Sequence, residues 1–268
     1  MQTKCIRDTV SKIGRSRPST HTKFGQSGFG LTINRHPLLY ICTRIWPFHL
    51  HLLSMQSSPS PATKTMYIIR HGETHFNRMG IVQGSGVDSD INALGQQQAD
   101  AFFQAYKHIP FQRIYVSSLK RTHQTVNPFA SLNIPTQVIP ELNEINWGIL
   151  EGQQPSEHSR KEFYAMLQRW RNGELNQAIN GGETPLAMHK RQKLGLKKIE
   201  SSSENPVLIC MHGRALRGFL CLLTNTPLQQ MDDFEHDNVC LYVVEKHDHE
   251  SHYRIKIKNS LDHLTHLR

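Results

Sequence analysis

Two short runs in this 268-residue chain set a histidine where it could react: Arg70-His71-Gly72-Glu73-Thr74 and Met211-His212-Gly213-Arg214. Each follows an apolar, β-rich stretch, Tyr67-Ile68-Ile69 in one case and Leu208-Ile209-Cys210 in the other. A glycine directly after each histidine lets the backbone turn sharply and a ligand come close, so both imidazoles can point into one pocket. Imidazole serves as a nucleophile or a proton carrier near neutral pH. One histidine after a strand is commonly a structural residue; two with the same punctuation form a constellation. Between them, Tyr115-Val116-Ser117-Ser118-Leu119-Lys120-Arg121-Thr122 puts Ser118 at a helix cap and Arg121 in the first turn of the helix. A cation there opposes the helix dipole and calls for an anion. Taken alone, Arg121 reads as a solvated surface side chain. With Arg70 in the same crevice, two guanidinium forks can clamp a phosphate through bidentate, charge-assisted bonds.

Such residues need elements to hold them. From Thr65 onward short apolar runs alternate with longer segments of helical period, the pattern of a three-layer α/β/α sandwich with a mainly parallel central sheet. Strands are expected at Met66–Arg70, Arg113–Val116, Thr136–Ile139, Val207–Met211, Cys240–Glu245 and Tyr253–Ile257. Helices are expected at about Ala93–Tyr106, Leu119–Ala130, Ser156–Asn172, Pro185–Ser201 and Ala215–Leu223. In folds of this class, ligands sit beyond the carboxyl ends of the strands, where both His-Gly pairs fall.

The net charge of +9 does not belong to that domain. Residues 1–65 hold nine of the 31 Lys and Arg against a single acidic residue, Asp8, which leaves 22 basic and 21 acidic residues in the remainder. The near-neutral domain gives no ground for a nucleic-acid or membrane partner. The leader is rich in Ser, Thr, Arg and His, lacks period, and is expected to have no stable fold of its own. Its apolar stretch from Leu38 to Leu53 is broken by Arg44, Pro47, His49 and His51 and does not make a membrane span. An organellar transit peptide shares this bias. A start-site extension ahead of Met55 or Met66 is the preferred account, because composition changes abruptly at the linker-like Ser57-Ser58-Pro59-Ser60-Pro61. The expected domain is therefore 66–268. The five cysteines, Cys5, Cys42, Cys210, Cys221 and Cys240, are scattered and without a CxxC pair, which suits a reducing, cytoplasmic setting and the role of small buried hydrophobes.

Taken together in order, these motifs resemble the histidine phosphatase superfamily, the phosphoglycerate mutase-like proteins. The resemblance rests on Arg70-His71-Gly72-Glu73-Thr74 and on Ser117 to Thr122. It rests further on Glu144 ahead of Trp147-Gly148-Ile149-Leu150-Glu151-Gly152, on Gly181-Gly182-Glu183-Thr184, and on Met211-His212-Gly213. It implies that His71 is the nucleophile that becomes phosphohistidine. Arg70, Arg121 and His212 would hold the phosphoryl oxygens, and Glu144 would protonate the leaving alkoxide. In-line transfer needs such a nucleophile, cations for the equatorial oxygens and an acid for the departing oxygen. His71 must be neutral at its attacking nitrogen; His212 is expected as a donor, cationic when phosphate is bound. Glu144 must arrive protonated. No metal or other cofactor is required, since the arginines and histidines supply the positive charge. Asn77 is expected to touch the phosphate or to cap its loop, Gly213 to admit the ligand, and Gln83-Gly84 to line the substrate side. Glu73 and Glu183 are expected to pair with arginines, with helix capping preferred for Glu183.

Where many relatives carry a second small residue after His-Gly, this chain has Arg214, with Arg217 three further on. They are either surface cations or, in the case of Arg214, added positive potential over the pocket that favours a more acidic substrate. His247-Asp248-His249-Glu250-Ser251-His252 reads as a solvated hairpin loop in preference to a metal site. The mutases carry a long insert after the acid motif. Only 28 residues separate Gly152 from Gly181 here, and the spacing of Phe163, Met166, Leu167 and Trp170 suggests a helical cap over the site. The expected activity is hydrolysis of a small phosphorylated metabolite, with mutase-type transfer the alternative and a non-catalytic binding module behind it. A homodimer through Cys240–Val244 as an edge strand, or capping of that strand by the charged tail, both stay open.

Overall fold

The computed structural model describes residues 63–267 of the chain. The expectations for the leader up to residue 62, Cys5 and Cys42 included, lie outside the described residues. Six strands form one sheet: β1 (Thr63–Arg70), β2 (Arg113–Val116), β3 (Thr136–Val138), β4 (Val207–Met211), β5 (Leu241–His247) and β6 (Arg254–Ser260), in the order β3-β2-β4-β1-β5-β6. The first four run parallel, and β5 is antiparallel to both its neighbours. Helices α1 (His75–Met79), α2 (Ala93–Tyr106), α3 (Lys120–Val126), α4 (Glu157–Arg171), α5 (Pro185–Glu200) and α6 (Gly213–Thr224) connect them.

The three-layer sandwich read from the sequence is what forms. Side chains alternate across a strand, and here they divide between two cores. Ile68, Tyr115 and Ile209 face a core filled by α4, α5 and α6, through Trp170, Met188 and Phe219. Ile69, Val116 and Leu208 face the opposite core, with Phe102 of α2 and Val126 of α3. Both faces of β1 and β4 are thus dry, which explains their continuous apolar runs. Each fully buried aliphatic side chain stabilises the fold by about 1.5–3 kcal/mol.

Parallel pairing sets the site. Arg70 is level with Met211, and Val116 with Cys210, so His71 and His212 leave their strands side by side and Ser117 leaves the adjacent strand within one residue of them. The His71 amide donates to the Met211 carbonyl at 3.0 Å and locks the first exit to the second.

Several boundaries differ from expectation. The sheet begins before Met66: Thr63, Lys64 and Thr65 pair with His247, Lys246 and Glu245 of β5, and Lys64 Nζ donates to the Glu204 carbonyl at 2.6 Å. The second expected helix ends at Val126, because Pro128 breaks the α-ladder, and continues as a 3₁₀ turn over Asn127–Leu132. Ser118 is not its cap; Leu119 holds that position without a side-chain bond, while Asp88 Oδ1 accepts from the Lys120 amide at 2.7 Å. The short α1 was not foreseen; Thr74 and Asn77 close it with a reciprocal capping box. β5 is no edge strand, since β6 folds back against it, so a dimer through an open edge there is ruled out. The histidine-rich run forms the connection between β5 and β6, as a hairpin loop should; His247 Nδ1 contacts Thr63 Oγ1 and Glu250 pairs with Arg254. Cys210, Cys221 and Cys240 are buried free thiols, and burial pushes the last two up to about 12. Among the described residues no helix is long and apolar enough to cross a membrane.

Candidate active site

A cavity of about 160 Å³ opens at the carboxyl ends of β1 and β4, lined by Arg70, His71, Asn77, Gln83, Glu144, Gly213 and Arg214 among others. His71 is nearly fully buried. Its Nδ1 lies 2.8 Å from the Gly72 carbonyl, which can only accept, so the proton sits on Nδ1. Nε2 is left unprotonated, and no hydrogen bond engages it among the described residues. Burial, then Arg121 and Arg70, hold the imidazole well below its usual range, so it is neutral at physiological pH. The loop is fixed by close packing: a Cβ on Gly72 would meet the Gly95 carbonyl of α2 at 2.6 Å.

Arg70 donates through Nη1 to the His236 carbonyl at 3.0 Å, but its buried Nε has no partner. A buried donor left open beside a polar cavity is a place for an oxyanion.

Glu144 is almost fully buried, and Oε1 accepts from the amides of Ile145 at 2.9 Å and Ala215 at 2.8 Å, Oε2 from Arg214 at 3.0 Å. The carboxyl group thus sits on the first turn of α6. Oε2, with one donor, is the oxygen with room for a proton. The loop carrying it is clamped by Arg191, which donates to the carbonyls of Glu141, Asn143 and Glu144 and pairs through Nε and Nη2 with both oxygens of Glu183. Glu183 therefore pairs with an arginine, though not one at the phosphate cavity, and Thr184 takes the helix cap. Glu73 pairs with Arg78 and Asn92 and orients neither Arg70 nor Arg121.

Arg121 and His212 are fully buried behind this cavity and are not among its lining residues. Arg121 is therefore not the solvated side chain it would be if taken alone, and the phosphate contact expected of Arg121 and of His212 is not made from the cavity lining, where Arg70 stands. Arg121 Nε donates to His212 Nδ1 at 3.1 Å, so the His212 proton must be on Nε2, which donates to Ser117 Oγ at 2.7 Å. Arg121 also donates through Nη1 to the Val87 carbonyl at 2.6 Å and through Nη2 to that of Gly84 at 3.2 Å. A cationic His212 would set an N–H against the Nε–H of Arg121, and burial with Arg121 holds this imidazole too well below its usual range. The rings of His71 and His212 stand 5.3 Å apart.

Asn77 lines the cavity, yet its Oδ1 is taken by the Thr74 amide and hydroxyl and by Asn238 Nδ2. Gln83 lines the cavity and donates to Thr74 Oγ1 at 2.7 Å. Gly84 does not; it is buried, and a Cβ there would fall 1.8 Å from Glu151 Oε1. Its part is to present a carbonyl to Arg121. Arg214 and Arg217 are not surface cations: both share Asp232. His236, Asn238, Trp147 and Phe163 also belong to the site. His236 is held down to about 2 by burial, Arg70 and Arg217, and Asn238 Nδ2 donates to the His71 carbonyl at 2.9 Å. No spacing or glycine punctuation marks His236 or Asn238 in the sequence. Phe163 packs on Trp147 with its ring tilted and the centroids 4.7 Å apart, and brings α4 over the cavity, as its apolar spacing suggests. A second cavity of about 350 Å³ shares Asn77, Ile81, Val82 and Phe163 with the first and extends toward Arg160 and Tyr164.

The family model described as histidine phosphatase superfamily (branch 1) matches residues 66–257. The chain belongs to that superfamily. A Hydrogenobacter thermophilus protein named for phosphoserine phosphatase activity is 29% identical to this histidine phosphatase over 184 residues, 65% of this chain and 86% of the relative. A Yersinia enterocolitica protein named as a probable phosphoglycerate mutase, GpmB, is 30% identical over 164 residues, 60% of this chain and 75% of the relative. The solved structure of YhfR from Bacillus stearothermophilus superposes with a TM-score of 0.66 at 22% identity, covering 75% of this chain and 99% of that one, which shows the shared fold. Phosphatase and phosphoryl-transfer chemistry is thus the general activity of this superfamily member.

Proposed function

We propose that the chain hydrolyses a phosphate monoester of a small metabolite through a phosphohistidine on His71. The observation that carries this reading is the tautomer: Nδ1–H is given to the Gly72 carbonyl, and Nε2 is left as an unprotonated nucleophile beside the unpartnered Nε of Arg70. In the first step Nε2 attacks phosphorus, the ester P–O bond breaks, and Glu144 gives its proton to the departing alkoxide. In the second, Glu144 takes a proton from water as its oxygen attacks phosphorus and the P–N bond breaks, which returns free imidazole and phosphate. Arg70 binds the phosphoryl oxygens directly. Arg121 adds positive potential from behind, and three of the five N–H groups of a guanidinium are committed to protein acceptors. His212 holds Arg121 in place; to reach a phosphoryl oxygen its Nε2–H would first have to leave Ser117. Asn77 and Gln83 border the leaving group, and Gly213 keeps the wall low, since a Cβ there would stand 3.2 Å from His236 Nε2. These arginines supply the charge that a metal would, so turnover is expected without one.

The similarity to a protein named for mutase activity favours a second reading, in which a hydroxyl and not water takes the phosphoryl group. Incubating the full chain with para-nitrophenyl phosphate in chelator, and with phosphoglycerate in parallel, separates the two. Steady release of nitrophenol and phosphate supports hydrolysis; isomerised phosphoglycerate without phosphate release overturns it.

A further inference from the structure

Arg214 follows the second His-Gly pair, on the first turn of α6, where the helix dipole disfavours a cation. It is nonetheless only 6% exposed and lines the same cavity as His71 and Arg70. Its backbone amide is spent on Glu144, so its side chain is free to do something else. That side chain is held in place from behind. The guanidinium lies 5.8 Å from the ring centroids of both Trp147 and Trp170, and Nη1 pairs with Asp232 Oδ1.

Asp232 does not neutralise it. Arg217 Nη1 binds the same oxygen, so one carboxylate is shared between a buried and a half-buried guanidinium. The Nε atoms of Arg214 and Arg217 are both buried and have no partner. Arg70, Arg121, Arg214 and Arg217 thus crowd on or around the cavity wall; Glu144 and Asp237 act on Arg70, and Glu144, Asp88 and Glu151 on Arg121, while Arg214 and Arg217 share Asp232. Buried charge of one sign is costly unless a ligand completes it. One phosphoryl dianion bound to Arg70 leaves the Arg214 side of the cavity still positive.

We infer that Arg214 is a specificity-determining residue, which selects phosphate esters whose alcohol carries a second oxyanion, a carboxylate or a phosphate. The ester phosphate meets Arg70 and His71, and the second oxyanion meets the Arg214 side of the same cavity. Trp147 and Phe163, packed on each other, line the cavity beside the carbon chain. This inference rests on the hydrolase reading above and narrows it to a substrate class.

Three esters with one carbon skeleton test it: n-propyl phosphate, its analogue ending in a carboxylate, and the bisphosphate of the corresponding diol. A charge-assisted hydrogen bond gained only by the last two should raise kcat/KM by about tenfold or more over n-propyl phosphate in the wild-type chain. Arg214→Gln should bring that ratio to near one while n-propyl phosphate is still turned over. Arg214→Lys, which keeps the charge and loses the fork, should retain part of it and serves if the Gln variant does not fold. Comparing carboxylate with bisphosphate shows which oxyanion fits. A wild-type ratio near one, or a ratio unchanged by Arg214→Gln in folded protein, overturns the inference and leaves the hydrolase standing. Failure of the wild type to release phosphate from any ester overturns both.

Discussion

His71 and His212 leave neighbouring parallel strands one residue past a paired position, each is followed by glycine, and both are buried. In sequence they are near twins. Their hydrogen bonds make them unlike: His71 spends one nitrogen on its own loop and keeps the other open to the cavity, whereas His212 spends both, one on Arg121 and one on Ser117. What a buried imidazole can do is set by what its partners leave unused. On this account His71 is the nucleophile and His212 is a support for Arg121.

The comparison can be broken most severely at His71. His71→Ala should lower kcat/KM by about 10⁴-fold or more, because the covalent intermediate forms on its Nε2; phosphatase assays on folded variant check it. Glu144→Gln should cost about 10²–10⁴-fold, and the loss should shrink for esters of acidic phenols, whose leaving oxygen needs no proton. His212→Ala should cost less, about 10²-fold, through misplacement of Arg121. Equal losses at His71 and His212 would erase the distinction between them.

Two smaller effects sharpen it. Burial and arginine neighbours hold His71 and His212 below their unfolded value, as they do His236. The unfolded chain therefore takes up protons first. Stability should be fully present above about pH 6.5 and be lost as pH falls toward the folded values, near 2 for His236, at about 1.4 kcal/mol per pH unit for each fully buried imidazole. Thermal melts from pH 7.5 downward measure this. Ser117→Ala strips the acceptor from His212 Nε2–H and should destabilise the fold by about 1–3 kcal/mol, with kcat/KM changed by less than about tenfold.

Much of this was legible in the sequence. The apolar runs before Arg70-His71 and before His212, and the period of α2, α4 and α5, located the sheet, its layers and the helix over the cavity. Motif order placed His71, Arg70 and Glu144 together. Hydrogen-bond commitments were not legible, because they join residues far apart: Ser117 to His212 across 95 positions, Arg191 to the carbonyls of the Glu144 loop across about 50. Arg214 could not be told from a surface cation without Asp232, which lies in a 3₁₀ turn that no motif marks. His236 reaches the cavity, and Asn238 the His71 carbonyl, from the connection ahead of β5, a segment with neither period nor punctuation. β5 looked like an edge because only the return of β6 makes it interior.

The most direct test is to trap the intermediate. Full-length protein mixed rapidly with substrate and quenched in base should carry an acid-labile phosphoryl group, located by peptide mass spectrometry on His71 and by phosphorus NMR on its Nε2. A phosphoryl group on His212, or turnover with no phosphohistidine at all, would contradict the account.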